Sequence, residues 1–355
     1  MSVTAAKGFE ASGVAAGIRR EGKDLALVRA TTRATGAAVW TRNRVQAAPI
    51  VVSKAHLELA ARLLSLDVEE VLVLSTGVIG VRVPIAKMVA GCAALAEARG
   101  SGIEAAAEAI LTTDTRTKQA VSAADGFAVG GMAKGSGMIH PNLATMLAVV
   151  TTDYPLEPGE AIEVLRPSIE TSFNSISVDG ECSTNDAVVL LSSGAAAFER
   201  TEASDTAFGH ALQAVCADLA AQIVADGEGA TLVAEISVSG AASGAEARAI
   251  AQRIATSPLV KTALFGRDAN WGRVLMAAGS APYNGGYARL DPARVSLVYN
   301  GTAVLSGGAP LAAEPPVDGA TCTIELDLGL GDGRASYLTS DLSYDYVRIN
   351  ADYRS

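Results

Sequence analysis

The residues best placed to do chemistry lie in one stretch, Gly130 to Asp153, which reads GGMAKGSGMIHPNLATMLAVVTTD. Glycine opens backbone conformations closed to other residues and Pro141 fixes its own φ. The segment therefore reads as a loop able to hold a strained approach to Thr145, at the head of the apolar run Met146 to Val150. Strain there matters if a bond must break. A threonine at a strand start also serves simply as a β-former, and on the residues alone both readings stand. Asp179 to Asp186 (DGECSTND) packs acids, hydroxyls and an amide before a strand, and Asp226-Gly227-Glu228-Gly229 follows a helix. Each reads equally well as a turn or cap.

Other chemistries find less support. His56, His140 and His210 are isolated, so a histidine-rich metal site is not indicated; a Ser-His-Asp triad is not excluded by spacing, but nothing favours one. Gly329 to Gly333 (GLGDG) looks like half a dinucleotide fingerprint, yet Arg334 to Thr339 reads as a strand, so a hairpin turn is expected. Lys134-Gly135-Ser136 lacks the order of a phosphate-binding loop. No nucleotide, metal or other cofactor is expected.

The elements that must position these residues read as α/β. Asp24 to Ala30 and Ala37 to Thr41 are expected strands and paired neighbours, and Ser53 caps a helix whose Leu57, Ala60, Ala61 and Leu64 share one face. Glu70 to Ser75 (EVLVLS) has the continuous apolar character of a buried strand, ending at Thr76-Gly77 with N–H groups exposed at its tip. A helix follows Pro84, with Ile85, Met88, Val89 and Cys92 on it, and a second runs to Ala109. Phe127 to Val129 is a strand leading into the glycine-rich segment. Helices are expected over Pro158 to Phe173 and Ala207 to Val224, and strands over Ala187 to Leu191 and Thr231 to Ser239. Ser243 with Glu246 forms a capping box that opens a helix to Ala255, and a β-rich part occupies about 257–355.

The chain has 355 residues, 49% of them hydrophobic, enough for one large or two ordinary domains. A formal charge of −10 leaves no electrostatic footprint for nucleic acid or an anionic membrane, so a small polar metabolite is the easier partner. Cys92, Cys182, Cys216 and Cys322 form no CxxC pair and read as buried free thiols. No apolar leader is evident and no run approaches a membrane span, so a soluble, cytoplasmic protein is expected.

Beyond these patterns, an ordered set of motifs resembles the ornithine acetyltransferases (glutamate N-acetyltransferases). The motifs are STGVIG (Ser75 to Gly80), LTTD (Leu111 to Asp114), GGMAKGSGM (Gly130 to Met138), LATML (Leu143 to Leu147), DGECSTND, EGAT (Glu228 to Thr231), KTALFG (Lys261 to Gly266), NWGR (Asn270 to Arg273) and INADY (Ile349 to Tyr353). The resemblance covers Gly8 to the C-terminus. It implies an ornithine acetyltransferase-type α/β fold with mixed sheets and flanking helices. It also implies self-cleavage at Ala144-Thr145 into chains 1–144 and 145–355, assembled as a heterotetramer of two of each.

In such enzymes the cut makes the threonine N-terminal. Its new α-amine, with a pKa of about 7.7–8.0, can then serve as base to its own hydroxyl. The resemblance thus makes Thr145 the nucleophile and Thr76 with Gly77 the oxyanion-stabilising pair, and it assigns substrate contacts to Thr112, Lys134, Thr145, Glu228, Asn350 and Ser355. Lys134 can face a carboxylate and Glu228 an ammonium, which suits ornithine. The implied reaction moves acetyl from N2-acetylornithine to glutamate in arginine biosynthesis, with acetyl-CoA left open as a second donor. An N-terminal-nucleophile amidase or aminopeptidase, and a catalytically impaired homologue, are the rival readings. The last draws on two departures: the chain is short by a few tens of residues between Pro49 and Ser75, and Leu232 stands where relatives generally carry lysine.

Overall fold

The computed structural model describes residues 2–19, 21–32, 34–41, 61–63, 65–78, 81, 84–98, 102–124, 126–140, 146–183, 186–196 and 199–352. Strands β1 (Phe9–Val14) and β2 (Leu25–Ala30) pair antiparallel as a separate ribbon. Strand β3 (Gly36–Thr41) belongs elsewhere, antiparallel to β8 (Ala187–Ser192). The expected pairing of the first two apolar runs is therefore wrong; adjacency in sequence did not decide it, because β2 finds its partner upstream.

Five strands form the first sheet in the order β3-β8-β6-β5-β4, with β4 at Lys118–Ala124, β5 at Phe127–Lys134 and β6 at Leu147–Thr152. Strand β6 runs parallel to β8 and antiparallel to β5. Gly130 to Lys134 is thus the second half of a buried strand, not part of a loop as expected. Its glycines serve close approach: a Cβ on Gly130 would lie 1.9 Å from the Ser2 carbonyl oxygen, and one on Gly131 2.8 Å from Leu219.

The sheet is covered on both faces. Helix α1 (Ile85–Glu97) packs on the β1-β2 ribbon, and α2 (Ile103–Ala109) lies between β1 and the sheet, with Val3, Ala106, Ala107 and Met132 packed in a small core. On the other face lie α3 (Glu160–Glu170) and the long α4 (Glu202–Ala225), whose Phe208, Leu212, Val215, Leu219 and Ile223 are buried. Phe127, Tyr154 and Phe208 meet there, the two latter rings stacked at 4.5 Å. Helix α4 has the length and apolarity of a membrane span, contrary to the expectation that no run does. It is apolar on many sides because it packs between two sheets.

The second sheet has seven strands in the order β14-β13-β12-β15-β9-β16-β7. These are β7 (Ile176–Ser177), β9 (Val233–Ala241), β12 (Ser296–Tyr299), β13 (Thr302–Ser306), β14 (Ala309–Pro310), β15 (Thr321–Asp327) and β16 (Gly333–Ser340), while β10 (Pro282–Tyr283) and β11 (Gly286–Tyr287) make a small hairpin. Helices α5 (Gly244–Ala255), α6 (Pro258–Phe265) and α7 (Trp271–Gly279) supply Ile250, Ile254, Val260, Leu264 and Val274 to its core. The last of the described elements is α8 (Tyr344–Asp352).

Three local expectations fail here for identifiable reasons. Gly329 to Gly333 is not a hairpin turn, because β15 and β16 flank β9 and the loop crosses its end, where the Leu330 and Gly331 N–H groups donate to the Gly240 carbonyl. The Ser243 hydroxyl accepts from the Glu246 N–H, but the Glu246 carboxylate turns to Arg289 at 3.1 Å, so only half a capping box forms. Glu70 to Ser75 forms no strand: a 3-10 turn at Val68–Glu70 gives way to irregular chain through residue 78, and Leu72 is 48% exposed. Of the helix capped at Ser53, only residues 61–63 lie among the described residues, and those are helical.

Candidate active site

Three strands end side by side where the chemistry was expected. Lys134, the last residue of β5, pairs with Leu147 at the start of β6, and Leu147 pairs with Ala187 at the start of β8. Met146 and Asp186 stand just outside this row, where the Met146 N–H donates to Asp186 Oδ1 at 3.0 Å. Ala144, Thr145 and Ser355 lie outside the described residues.

Lys134 is 1% exposed, and the charges around it explain how it is tolerated. Burial pushes its ammonium below the ordinary lysine value and Lys118 adds to this, while Asp114, Asp186 and Glu228 oppose it. Asp114 is the hub. Its Oδ1 accepts from Gly135 N–H at 2.6 Å and Lys118 Nζ at 2.7 Å, and its Oδ2 accepts from Thr112 N–H at 3.0 Å and the Thr112 hydroxyl at 3.3 Å. Burial alone would raise this carboxyl, but Lys134 and Lys118 hold it below its ordinary value. Lys118 also reaches Asp226 Oδ2 at 2.5 Å, so two buried acids and two buried bases balance.

Glu228 and Asn350 come together as well. Asn350 Nδ2 donates to Glu228 Oε2 at 2.9 Å, across from α8 to the turn after α4. The Glu228 N–H donates to the Ser136 carbonyl at 2.8 Å, and a Cβ on Gly137 would lie only 2.4 Å from the Glu228 carboxyl carbon. The glycine lets that carboxylate rest against the loop leading to Thr145.

The DGECSTND segment braces the same loop. Asp179 accepts from the Met138 and Ile139 N–H groups at 2.6 and 3.0 Å, while Asp186 holds Met146 beyond. Burial raises the Asp179 carboxyl above its ordinary range, against these bonds. His140 is a wedge between Ser177 Oγ at 3.4 Å and the Gln252 side chain at 3.1 Å.

The structure therefore gathers Thr112, Lys134, Glu228 and Asn350 at one end of the first sheet. Thr76 and Gly77 are placed differently, on the irregular chain after Val71, Thr76 half-buried and Gly77 exposed. Asp114 and Lys118 carry no role in the sequence reading, and Asp226 enters it only within the turn Asp226-Gly227-Glu228-Gly229. Asp114 is within the LTTD motif, but nothing in the spacing marks Lys118 as its partner.

A cleft of about 460 Å³ opens beside Glu228, lined by Thr113, Thr115, Arg116, Asp226, Glu228 and Ile349 among others. Its size is that of a small-metabolite site.

The ArgJ family model matches residues 10–61 and 54–355. The chain belongs to the ArgJ family. It is 42% identical to the arginine biosynthesis bifunctional protein ArgJ of Mycolicibacterium paratuberculosis over 397 residues, covering 99% of this chain and 96% of that one. With the ArgJ of Geobacter sulfurreducens it shares 40% identity over 395 residues, 98% of this chain and 99% of that one. A crystal structure of ArgJ from Bacillus halodurans superposes with a TM-score of 0.53 at 36% identity, over 57% of this chain and 97% of that chain.

Both aligned spans exceed the 355 residues present here, and the ArgJ match breaks into two pieces that meet at 54–61. Relatives thus carry residues that this chain lacks, where the stretch between Pro49 and Ser75 is short. The other departure, Leu232, is 2% exposed in the second core, its N–H donating to Asp341 Oδ1 at 3.1 Å. It is a packing position, not a surface one.

Proposed function

We propose that the chain is a self-processing glutamate N-acetyltransferase of cytoplasmic arginine biosynthesis, acting through Thr145. The observation that carries this reading is the assembly of Lys134 and Glu228, a buried cation and a carboxylate, against the loop that leads to Thr145. An amino acid with a second amino group needs that pair of opposite charges.

In the cut, the Thr145 hydroxyl adds to the Ala144 carbonyl and displaces its own nitrogen, giving an ester and a free α-amine. Water then opens the ester, releasing chain 1–144 with a new carboxylate. In turnover, the α-amine takes the hydroxyl proton as the oxygen attacks the acetyl carbonyl of N2-acetylornithine. Ornithine leaves with that proton, and the amine of glutamate takes the acetyl group. Both steps pass through an oxyanion, the role proposed for Thr76 and Gly77. Acetyl-CoA as a second donor, and a heterotetramer of the two chains, complete the proposal. The match of a whole solved ArgJ polypeptide to 57% of this chain supports a two-chain form, since residues 145–355 make up about that share.

An intact-mass spectrum under denaturing conditions tests the cut, with Thr145→Ala as control. Two chains meeting at Ala144-Thr145 are expected from the parent and one uncut chain from the variant. Acetyl transfer is then assayed with and without glutamate; hydrolysis indifferent to glutamate would favour the amidase reading. One observation favours the impaired homologue: the chain bearing Thr76 and Gly77 forms no strand. A folded parent that stays uncut would establish that reading instead.

A further inference from the structure

The two amino acids of the proposed reaction carry opposite charges at the ends of their side chains, an ammonium on ornithine and a carboxylate on glutamate. One site that takes both in turn must offer an acid to the first and a base to the second. Glu228 supplies the acid. Among the described residues lining the cleft beside it, the ionisable ones are Arg116, Asp226 and Glu228. A glutamate side chain entering there would meet two carboxylates, and Arg116 carries the cation able to offset them.

Arg116 is available for this. It stands 3.9 Å from Asp226 Oδ1, with 55% of its side chain exposed. Asp226 does not depend on it, since its carboxylate is already held by the Thr115 N–H at 3.1 Å, the Thr115 hydroxyl and Lys118 Nζ. Such a loose, half-solvated ion pair contributes little to stability, so the guanidinium can turn to another anion at small cost. Its planar fork matches a carboxylate with two parallel N–H bonds. Lys118 is unsuited to the task, being buried between Asp114 and Asp226, and Lys134 is the cation already set against the substrate's other carboxylate.

We infer that Arg116 is the specificity-determining residue for the acceptor, binding the side-chain carboxylate of glutamate in the cleft whose opposite charge, Glu228, receives the side-chain ammonium of ornithine. The inference rests on the acetyltransferase reading for the choice of amino acids, but it concerns binding and can be tested without turnover.

The experiment is titration calorimetry of the purified full chain with L-glutamate, L-glutamine and L-ornithine, comparing the parent with Arg116→Ala and Arg116→Lys. The expected result is a tenfold or greater loss of glutamate affinity in Arg116→Ala, with partial recovery in Arg116→Lys. Ornithine affinity should change less than twofold, and the parent's preference for glutamate over glutamine should vanish. Unchanged glutamate affinity, equal losses for glutamate and ornithine, or a parent that does not distinguish glutamate from glutamine would each overturn the inference. A parent that binds glutamate through Arg116 yet transfers no acetyl group would sink the activity while leaving this subsite standing. One that transfers acetyl to glutamate with Arg116→Ala unimpaired in affinity would do the reverse.

Discussion

Two glycines of one motif answer to different constraints, and substitution separates them. At Gly130 an added methyl would meet the Ser2 carbonyl at 1.9 Å, a backbone atom that cannot turn aside. Gly130→Ala should destabilise the fold by about 2–3 kcal/mol in urea unfolding. At Gly137 the obstacle is the end of the Glu228 side chain, which can move. Gly137→Ala should therefore melt normally, yet raise KM for N2-acetylornithine about tenfold, or ~1.4 kcal/mol, by breaking the Glu228–Asn350 contact. Lys261 gives a pH signature. It is 3% exposed, donating to Thr339 and Ser340, and burial lowers its pKa to about 8, against about 10.4 in an unfolded chain. Between those values the unfolded chain binds more protons, so stability rises with pH across the window, by on the order of 3 kcal/mol, and is flat below it. The difference in unfolding free energy between the parent and Lys261→Met, followed from pH 7 to 10, should carry this slope; a flat difference would remove the assignment.

At the scale of elements, the acids of DGECSTND act as braces more than as ligands. Asp179 ties down Met138 and Ile139, and Asp186 ties down Met146, on either side of residues 141–145. Asp179→Ala should slow self-cleavage at least tenfold in a time course of intact mass, with far-UV circular dichroism unchanged. Much of this frame was legible in the sequence. Strands β8 and β9 and helices α3, α4 and α5 were read within a few residues, because each buries one long apolar run or face. What escaped were features that depend on partners far away in sequence. Gly130 to Lys134 resembles a loop in composition but is a strand, since α4 and the N-terminal segment press so closely on it that only glycine fits. Glu70 to Ser75 has the composition of a buried strand, but a strand needs a neighbour to pair with. The Asp114–Lys118–Asp226 cluster joins residues more than one hundred positions apart, and no local pattern announces it.

For the whole molecule, apolar surface stands exposed on the chain that follows the shortened stretch. Leu72, Val78, Val81, Ile85 and Val89 are 37–67% exposed, crowded within a short length of chain. The protein should accordingly bind a hydrophobic dye such as ANS, and the double variant Ile85→Lys with Val89→Glu should reduce that binding without altering the self-cleavage rate. Unchanged dye binding would show that this surface is covered in solution.

The interleaving of the first sheet carries one more consequence. Counted from the proposed cut, β8 and β6 belong to the second chain and lie between β3 on one side and β5 and β4 on the other, all from the first. Before the cut, refolding is a first-order event whatever the dilution. Afterwards the same sheet requires two molecules to meet, so the melting point of the cut form should fall with dilution, and recovery from denaturant should follow second-order kinetics. A protein that divides itself in this way folds once as a single molecule and thereafter keeps its shape by mass action and slow unfolding, since the tether that assembled it is gone.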